Sequence, residues 1–267
     1  MPSLPFQSSG WHGLVANDAW AKLFQELDAW LAANPGKMVV HYDSRDVRRI
    51  ETPLGVIYLK DIRALTDAGL HRKELFSWLK WVCRPSRALE TWEASQALLE
   101  KGFLCPQPVL AVRRRVGGIP QDIFVSAEVP LPNLWDVLPD GFTDSTLAEF
   151  LADELRSLHQ AGFVHGDCIL RNLCFDGRRK KLVYLDNDRT WRPPAILRKH
   201  LQRRNLAQMA YSILKRFGEE ASRHFLEHYA KAAHWPSGSA LLSILAAAQE
   251  RLPKKRQKTP VSPFPQE

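Results

Sequence analysis

His165-Gly166-Asp167-Cys168-Ile169-Leu170-Arg171-Asn172, followed by Leu182-Val183-Tyr184-Leu185-Asp186-Asn187-Asp188, is the stretch that decides how this chain is read. Four residues separate Asp167 from Asn172, and Asp186 comes fourteen positions after Asn172. Between them, Leu173 to Phe175 and Leu182 to Leu185 read as two short strands, and Asp176-Gly177 is a hairpin signal. Asp167 and Asn172 then stand on the loop that enters the hairpin and Asp186 at its exit. Three oxygen-bearing side chains converge at one end of two strands, a geometry that suits a metal-phosphate site.

The flanks extend the pattern. Upstream, Thr146 to Gln160 is a long helix in which Thr146 and Glu149 form a capping box and Leu147, Phe150, Leu151, Leu155 and Leu158 mark one face. Gly162 ends it. Pro130 and Pro132 break the chain as a connector. Before them, Val109 to Arg115 and Ile123 to Glu128 are strands joined at Gly117-Gly118. Residues 86–101 form a helix with Ser86 as N-cap and Gly102 as stop. Met38 to Tyr42, Val47 to Ile50 and Gly55 to Leu59 are strands, and Lys60 closes the last one. Strands first and helices afterwards predict an α+β chain of two lobes. The expected divisions are an N-terminal amphipathic extension (1–36), a β-rich N-lobe (37–129), a mainly helical C-lobe (130–250) and a basic tail (251–267). In the extension, Trp20, Leu23, Phe24, Leu27, Trp30 and Leu31 follow the spacing of a one-sided helix.

At 267 residues with 45% apolar and 25% charged side chains, the chain has ordinary globular composition and can bury a sizeable core. The net charge of +8 calls for an anionic partner: nucleotide phosphates, nucleic acid or an acidic membrane surface. Cys83, Cys105, Cys168 and Cys174 have no metal-ligand spacing, and nothing at the start reads as a signal peptide, so a reducing cytoplasm is expected. The longest apolar run, near Ala240 to Ala248, is too short to cross a bilayer, so any membrane association is expected to be peripheral.

Phosphoryl transfer requires positioning of the nucleophile and relief of charge on the β- and γ-phosphates more than covalent chemistry. Asp167 would accept the acceptor's hydroxyl proton. Asn172 and Asp186 would offer Mg²⁺ an amide oxygen and a carboxylate. Lys60 would hold the α/β-phosphates of ATP as a point charge. HGDCILRN and YLDND, with VIYLK ending at Lys60, SRALETWEASQALLEKGF and AEVP, resemble the lipopolysaccharide kinase (Kdo/heptose kinase) family of the protein-kinase-like superfamily. The resemblance spans roughly residues 38–215. It implies a bilobal protein-kinase-like fold and an ATP- and Mg²⁺-dependent kinase. The acceptor it implies is a sugar hydroxyl of the lipopolysaccharide core, at the cytoplasmic face of the membrane. By that resemblance Asp167 matches the catalytic base, Asn172 and Asp186 the metal ligands, Lys60 the phosphate-binding lysine and Glu128 the start of the adenine-contacting hinge. No GxGxxG loop lies between Val39 and Leu59, where His41 to Arg49 instead offers Asp43, Ser44 and arginines. Glu90 and Glu93 both lie near the place of the glutamate that pairs with the lysine. Rival readings are a protein or small-molecule kinase, which changes the acceptor, and a non-catalytic pseudokinase.

Plainer readings stand beside these. His165 reads as a core histidine bonded to backbone, Asp188 as a helix cap or second metal contact, and Cys168 and Cys174 as buried small residues. Trp78, Trp81 and Trp92 read as packing rather than nucleic-acid stacking. The basic runs Arg113 to Arg115, Arg178 to Lys181, Arg198 to Arg204 and Lys254 to Lys258 read as solvated surface, with an anionic glycolipid or inner-membrane surface as the functional alternative.

Overall fold

The computed structural model describes residues 3–42, 45–63 and 85–233, with positions 244 and 246. Asp43, Ser44, Trp78, Trp81, Cys83, most of the Ala240 to Ala248 run and the basic tail lie outside the described residues. The chain divides into two compact units, Met1–Pro130 and Leu131–Glu267.

The first unit is built on an antiparallel sheet. Its strands are β1 (Leu4–Ser8), β2 (Trp11–Val15), β3 (Lys37–Tyr42), β4 (Arg45–Thr52), β5 (Gly55–Arg63), β6 (Pro108–Val116) and β7 (Ile119–Ala127), in the order β1-β2-β6-β7-β5-β4-β3. Gly117 and Gly118 both hold positive φ in the two-residue turn from β6 to β7, the conformation such a hairpin needs. Register separates the two faces. Lys60 lies opposite Phe124, and Phe124 opposite Ala111. Phe124 and Ala111 pack with Ala88 and Trp92 of helix α3 (Arg87–Glu100), so Lys60 stands on the face that α3 covers. The other face presents Ile57, Leu59, Leu110, Ile123 and Val125 to Trp11, Phe24 and Leu27.

This second face corrects the reading of residues 1–36 as an extension separate from the first lobe. Residues 4–15 are two strands of the same sheet. The amphipathic pattern is two short helices, α1 (Asp18–Leu23) and α2 (Leu27–Ala33), rather than one. The break has a local cause: Ser8 Oγ donates to the Gln25 carbonyl at 2.8 Å and accepts from the Leu27 amide at 3.3 Å, occupying groups a continuous helix would pair internally. Lys60 does not end its strand either, since β5 continues to Arg63. Ser86 caps α3 as expected, accepting from the Leu89 amide, and Trp92 is core.

The second unit is mainly helical: α4 (Asp144–Gln160), α5 (Ala195–Phe217) and α6 (Glu219–Ala232) accompany a two-stranded hairpin, β8 (Leu173–Asp176) and β9 (Lys181–Tyr184). The N-cap of α4 is Thr143, three residues earlier than the expected box. Thr143 and Thr146 reciprocate, Thr146 Oγ1 accepting from the Thr143 amide at 2.8 Å, so Glu149 is not needed. Between the hairpin strands, Asp176 Oδ1 accepts from the Arg178 and Arg179 amides, the Asx turn that the Asp-Gly pair signals. Asp188 does not cap α5, whose N-cap is Pro194.

Candidate active site

The site residues expected from the sequence fall in both units. In the second, a 3₁₀ turn at Leu170–Asn172 leads from the loop of Asp167 directly into β8. Asn172 Nδ2 donates to the Asp167 carbonyl at 2.9 Å and to its carboxylate at 3.3 Å. With the amide nitrogen fixed there, Asn172 Oδ1 is the end turned toward other partners. The other carboxylate oxygen of Asp167 accepts from Gln208 Nε2 at 3.4 Å. Asp167 is exposed, while Asn172 and Asp186 are half-buried.

Asp186 sits at φ 54°, in the left-handed region, which Asp tolerates better than most side chains but still at some cost. Its predecessor is held on both sides. The Leu185 amide donates to the Asn172 carbonyl at 2.8 Å, and the Leu185 carbonyl pairs with His165 Nε2 at 2.9 Å. His165 is buried, and its Nδ1 accepts from the Asp167 amide at 3.2 Å. That pattern fixes the neutral tautomer with the proton on Nε2. Burial pushes the pKa of His165 down, which agrees with an imidazole that is uncharged. The core-histidine reading therefore describes it well: His165 ties the loop of Asp167 to the segment of Asp186.

The residues that hold His165 were not singled out in the sequence. Asn205 of α5 accepts from the His165 amide at 2.9 Å and donates through Nδ2 to the His165 carbonyl. Its Oδ1 also meets His159 Nε2 at 3.2 Å, and His159 Nδ1 pairs with the Tyr229 hydroxyl at 2.7 Å. Burial lowers the pKa of His159 to about 4. Ser212, farther along α5, accepts from the Leu170 amide at 3.0 Å. The only signal in the sequence is that Asn205, Gln208 and Ser212 interrupt an otherwise apolar helical run, and nothing there names the loop they reach.

Gly166 is required by a close approach rather than by its φ. A Cβ there would collide with the backbone and Cβ of Arg189. Beyond that contact, Val164 and Trp191 exchange backbone hydrogen bonds at 3.0 and 3.2 Å, fastening the chain after Asp186 to the chain before Asp167. Cys168 and Cys174 are buried, and burial raises both thiols, Cys174 to about 11, so neither is poised as a nucleophile.

In the first unit, Lys60 is half-buried on β5. Of the two glutamates of α3, Glu93 is exposed and Glu90 half-buried. The N-terminus of α3 is pinned by Asp122, a buried residue that was also not foreseen. Its carboxylate accepts from Ser86 Oγ at 3.0 Å, the Arg87 amide at 2.8 Å and Arg113 Nε at 2.7 Å. A carboxylate at that helix end also meets the favourable pole of the dipole. Glu128, expected at the hinge, has its carboxylate engaged by Arg49 Nε at 2.8 Å, and its amide donates to the Val56 carbonyl. Arg49 rises above the usual arginine range, chiefly through its hydrogen bond to Glu128.

As to metal, no group of three or more His, Cys, Asp or Glu side chains is gathered among the described residues. Asn172 Oδ1 and the Asp186 carboxylate are nevertheless a donor set that fits Mg²⁺, which takes few protein oxygens and completes its octahedron with water and phosphate.

A family model described as Lipopolysaccharide kinase (Kdo/WaaP) family matches residues 68–229, more than half of the chain. Among solved structures, WaaP in complex with acyl carrier protein is similar over 91% of this chain and 98% of its own, at 19% identity and a TM-score of 0.59. The Rio2 kinase-ADP/Mg2+-phosphoaspartate complex from Chaetomium thermophilum is similar over 95% of this chain and 82% of its own, at 15% identity and a TM-score of 0.53. At such identities the likeness shows the fold, which is α+β and protein-kinase-like. No curated protein matches the chain.

Proposed function

Because this chain belongs to the lipopolysaccharide kinase (Kdo/WaaP) family, and so is an ATP-dependent phosphotransferase with a sugar hydroxyl as acceptor, we propose that it phosphorylates a Kdo or heptose of the lipopolysaccharide inner core at the cytoplasmic face of the membrane. No helix among the described residues is long and apolar enough to cross a membrane, and the proposed association is peripheral, with an anionic lipid surface.

The observation that carries this reading is the way the Asp167 carboxylate is held. Gln208 and Asn172 each donate to one of its oxygens, which fixes the orientation of the carboxylate. An exposed and oriented carboxylate is what a hydroxyl acceptor needs as its proton leaves. Lys60 would bind the α/β-phosphates of ATP, with Glu90 holding the lysine, since Glu93 points to solvent while Lys60 shares the sheet face that α3 covers. Asn172 and Asp186 would hold Mg²⁺, which when bound offsets charge on the β- and γ-phosphates. The carbonyl of Glu128 would face the adenine.

The test is phosphate transfer from ATP to purified lipopolysaccharide core, with and without Mg²⁺. Asp167→Asn is expected to lower kcat by roughly 10³-fold or more, and Lys60→Met to lower kcat/KM for ATP. Turnover unchanged in Asp167→Asn would sink the assignment. Transfer to a protein or to an aminoglycoside but not to core sugars would keep the chemistry and discard the acceptor. ATP binding without any turnover would make the chain a pseudokinase.

A further inference from the structure

The second unit has a surface that its own packing leaves unused. From Arg189 to Gly218 the chain carries eight Lys and Arg and no Asp or Glu. The second half of α5 is core, with Asn205 to Ile213 buried, but no residue from Ala195 to Arg204 is buried. Its first turn instead exposes apolar side chains: Ile196 is 89% exposed and Leu197 46%, and Trp191, just before the helix, is 45% exposed. Cations flank them along the chain, Arg189, Arg192, Lys199, Arg203 and Arg204 all being exposed. Three large apolar side chains this close together are not the scattered surface hydrophobics of an ordinary protein.

We propose that this patch, the segment Trp191–Leu197 with its flanking cations, is the surface by which the protein docks on an anionic lipid bilayer. The composition selects that occupant. A branched aliphatic pair and a tryptophan at a helix start suit the boundary between headgroups and acyl chains, and flanking charge of a single sign suits acidic headgroups. A protein partner would have to bring a matching excess of carboxylates around an apolar centre, whereas an anionic bilayer presents both as a continuum.

The location ties the patch to the chemistry. A pocket of about 230 Å³ beside the loop of Asp167 is lined by His165, Gly166, Arg189, Trp191, Arg204 and neighbours. Arg189, Trp191 and Arg204 thus belong to both patch and pocket. Docking by this face brings the base loop to the headgroup layer, where a lipid-linked sugar would stand. The inference rests on the membrane-borne acceptor of the proposed function for its purpose, but it can be read without any phosphotransfer.

The experiment is co-sedimentation of the purified full chain with vesicles of phosphatidylglycerol and phosphatidylethanolamine, against vesicles of phosphatidylcholine. Binding is expected on the anionic vesicles alone and should weaken as salt is raised. Ile196→Ser with Leu197→Ser should weaken partitioning about ten-fold or more, and Lys199→Ala about five-fold. Since neither change touches a buried position, both variants should melt at the wild-type temperature. Wild-type partitioning in the double variant would overturn the proposal, placing binding elsewhere, for instance in the basic tail. So would equal binding to neutral vesicles, or a concentration-dependent dimer that the double variant abolishes in a chain that binds no vesicle. Intact partitioning without transfer to core sugars would instead strike the proposed function and leave the docking face standing.

Discussion

Replacing Asn205 by Ala is expected to loosen the loop of Asp167 without touching any group that would meet substrate. The side chain satisfies both backbone groups of His165, accepting from its amide at 2.9 Å and donating to its carbonyl, and His165 is 1% exposed, so water cannot take over. Each orphaned buried backbone group costs about 1–3 kcal/mol. The sum is about 4 kcal/mol, before any loss at His159 Nε2. Hydrogen exchange of peptides covering residues 163–185 reads this as local opening, free of whatever the first unit does. If Asp167 is the base proposed above, a displacement of its loop by about 1 Å should also lower kcat about 10²-fold. Asn205→Asp is the informative companion. It keeps an acceptor for the His165 amide, loses the donor to the carbonyl, and sets a carboxylate beside His159, whose pKa should then rise. About half the protection should return. If Asn205→Ala changes exchange by less than about 1 kcal/mol, the hydrogen bonds described do not hold the loop and the reasoning fails.

Gly166→Ala should cost about 1–3 kcal/mol through its collision with Arg189 and should lower kcat. Gly177→Ala, whose new methyl would meet only Phe175 at 3.7 Å, should melt near wild type; equal behaviour of the two would refute the close-approach argument. Acid should weaken the second unit through His159, whose folded pKa of about 4 lies below the ordinary 6.5. That stability is fully present above pH 6.5 and is lost as the pH falls toward 4, amounting to about 2 kcal/mol by pH 5, with His165 acting in the same direction. Urea titrations at pH 8 and 5 check it, and His159→Gln should flatten the difference. Finally, Glu90→Gln should reduce kcat/KM for ATP by about ten-fold or more while Glu93→Gln leaves it alone; the reverse order would make the exposed glutamate the partner of Lys60.

The parts of the site that lie close together in the chain were readable. Asp167, Asn172 and the hairpin up to Asp186 form one local unit, and strand alternation and the Asp-Gly turn mark its elements. What escaped is held across long separations. Asn205 acts on a loop 40 residues upstream, and Asp122 acts on a helix start 35 residues upstream. A single sequence shows such residues only as polar positions in apolar surroundings, a signal that names no partner. The strand status of residues 4–15 was lost for a different reason. β1 pairs only with β2, and β2 finds its other partner, β6, almost 100 residues later, while the helical spacing of Trp20 to Leu31 is the stronger signal of the segment and covers two helices that Ser8 divides.

That division settles where the apolar face of the N-terminal segment goes. Trp11, Phe24 and Leu27 are fully buried against the sheet face that α3 does not cover, and each contributes about 1.5–3 kcal/mol by leaving water. Arg114 fastens the same segment, donating to Asp28 at 2.8 Å while its guanidinium lies 4.3 Å from the Trp11 ring. An ion pair so exposed contributes at most about 1 kcal/mol, so packing decides the arrangement. Helices whose apolar side already closes the back of a sheet have no face left to offer a bilayer. The start of α5 instead leaves aliphatic side chains unburied, at Ile196 and Leu197, in a stretch from Arg189 to Gly218 that has Lys and Arg but no Asp or Glu. The amphipathic signal near the N-terminus is therefore architecture, and under the docking proposal the exposed Lys199, Arg203 and Arg204 would be the cations that meet acidic headgroups.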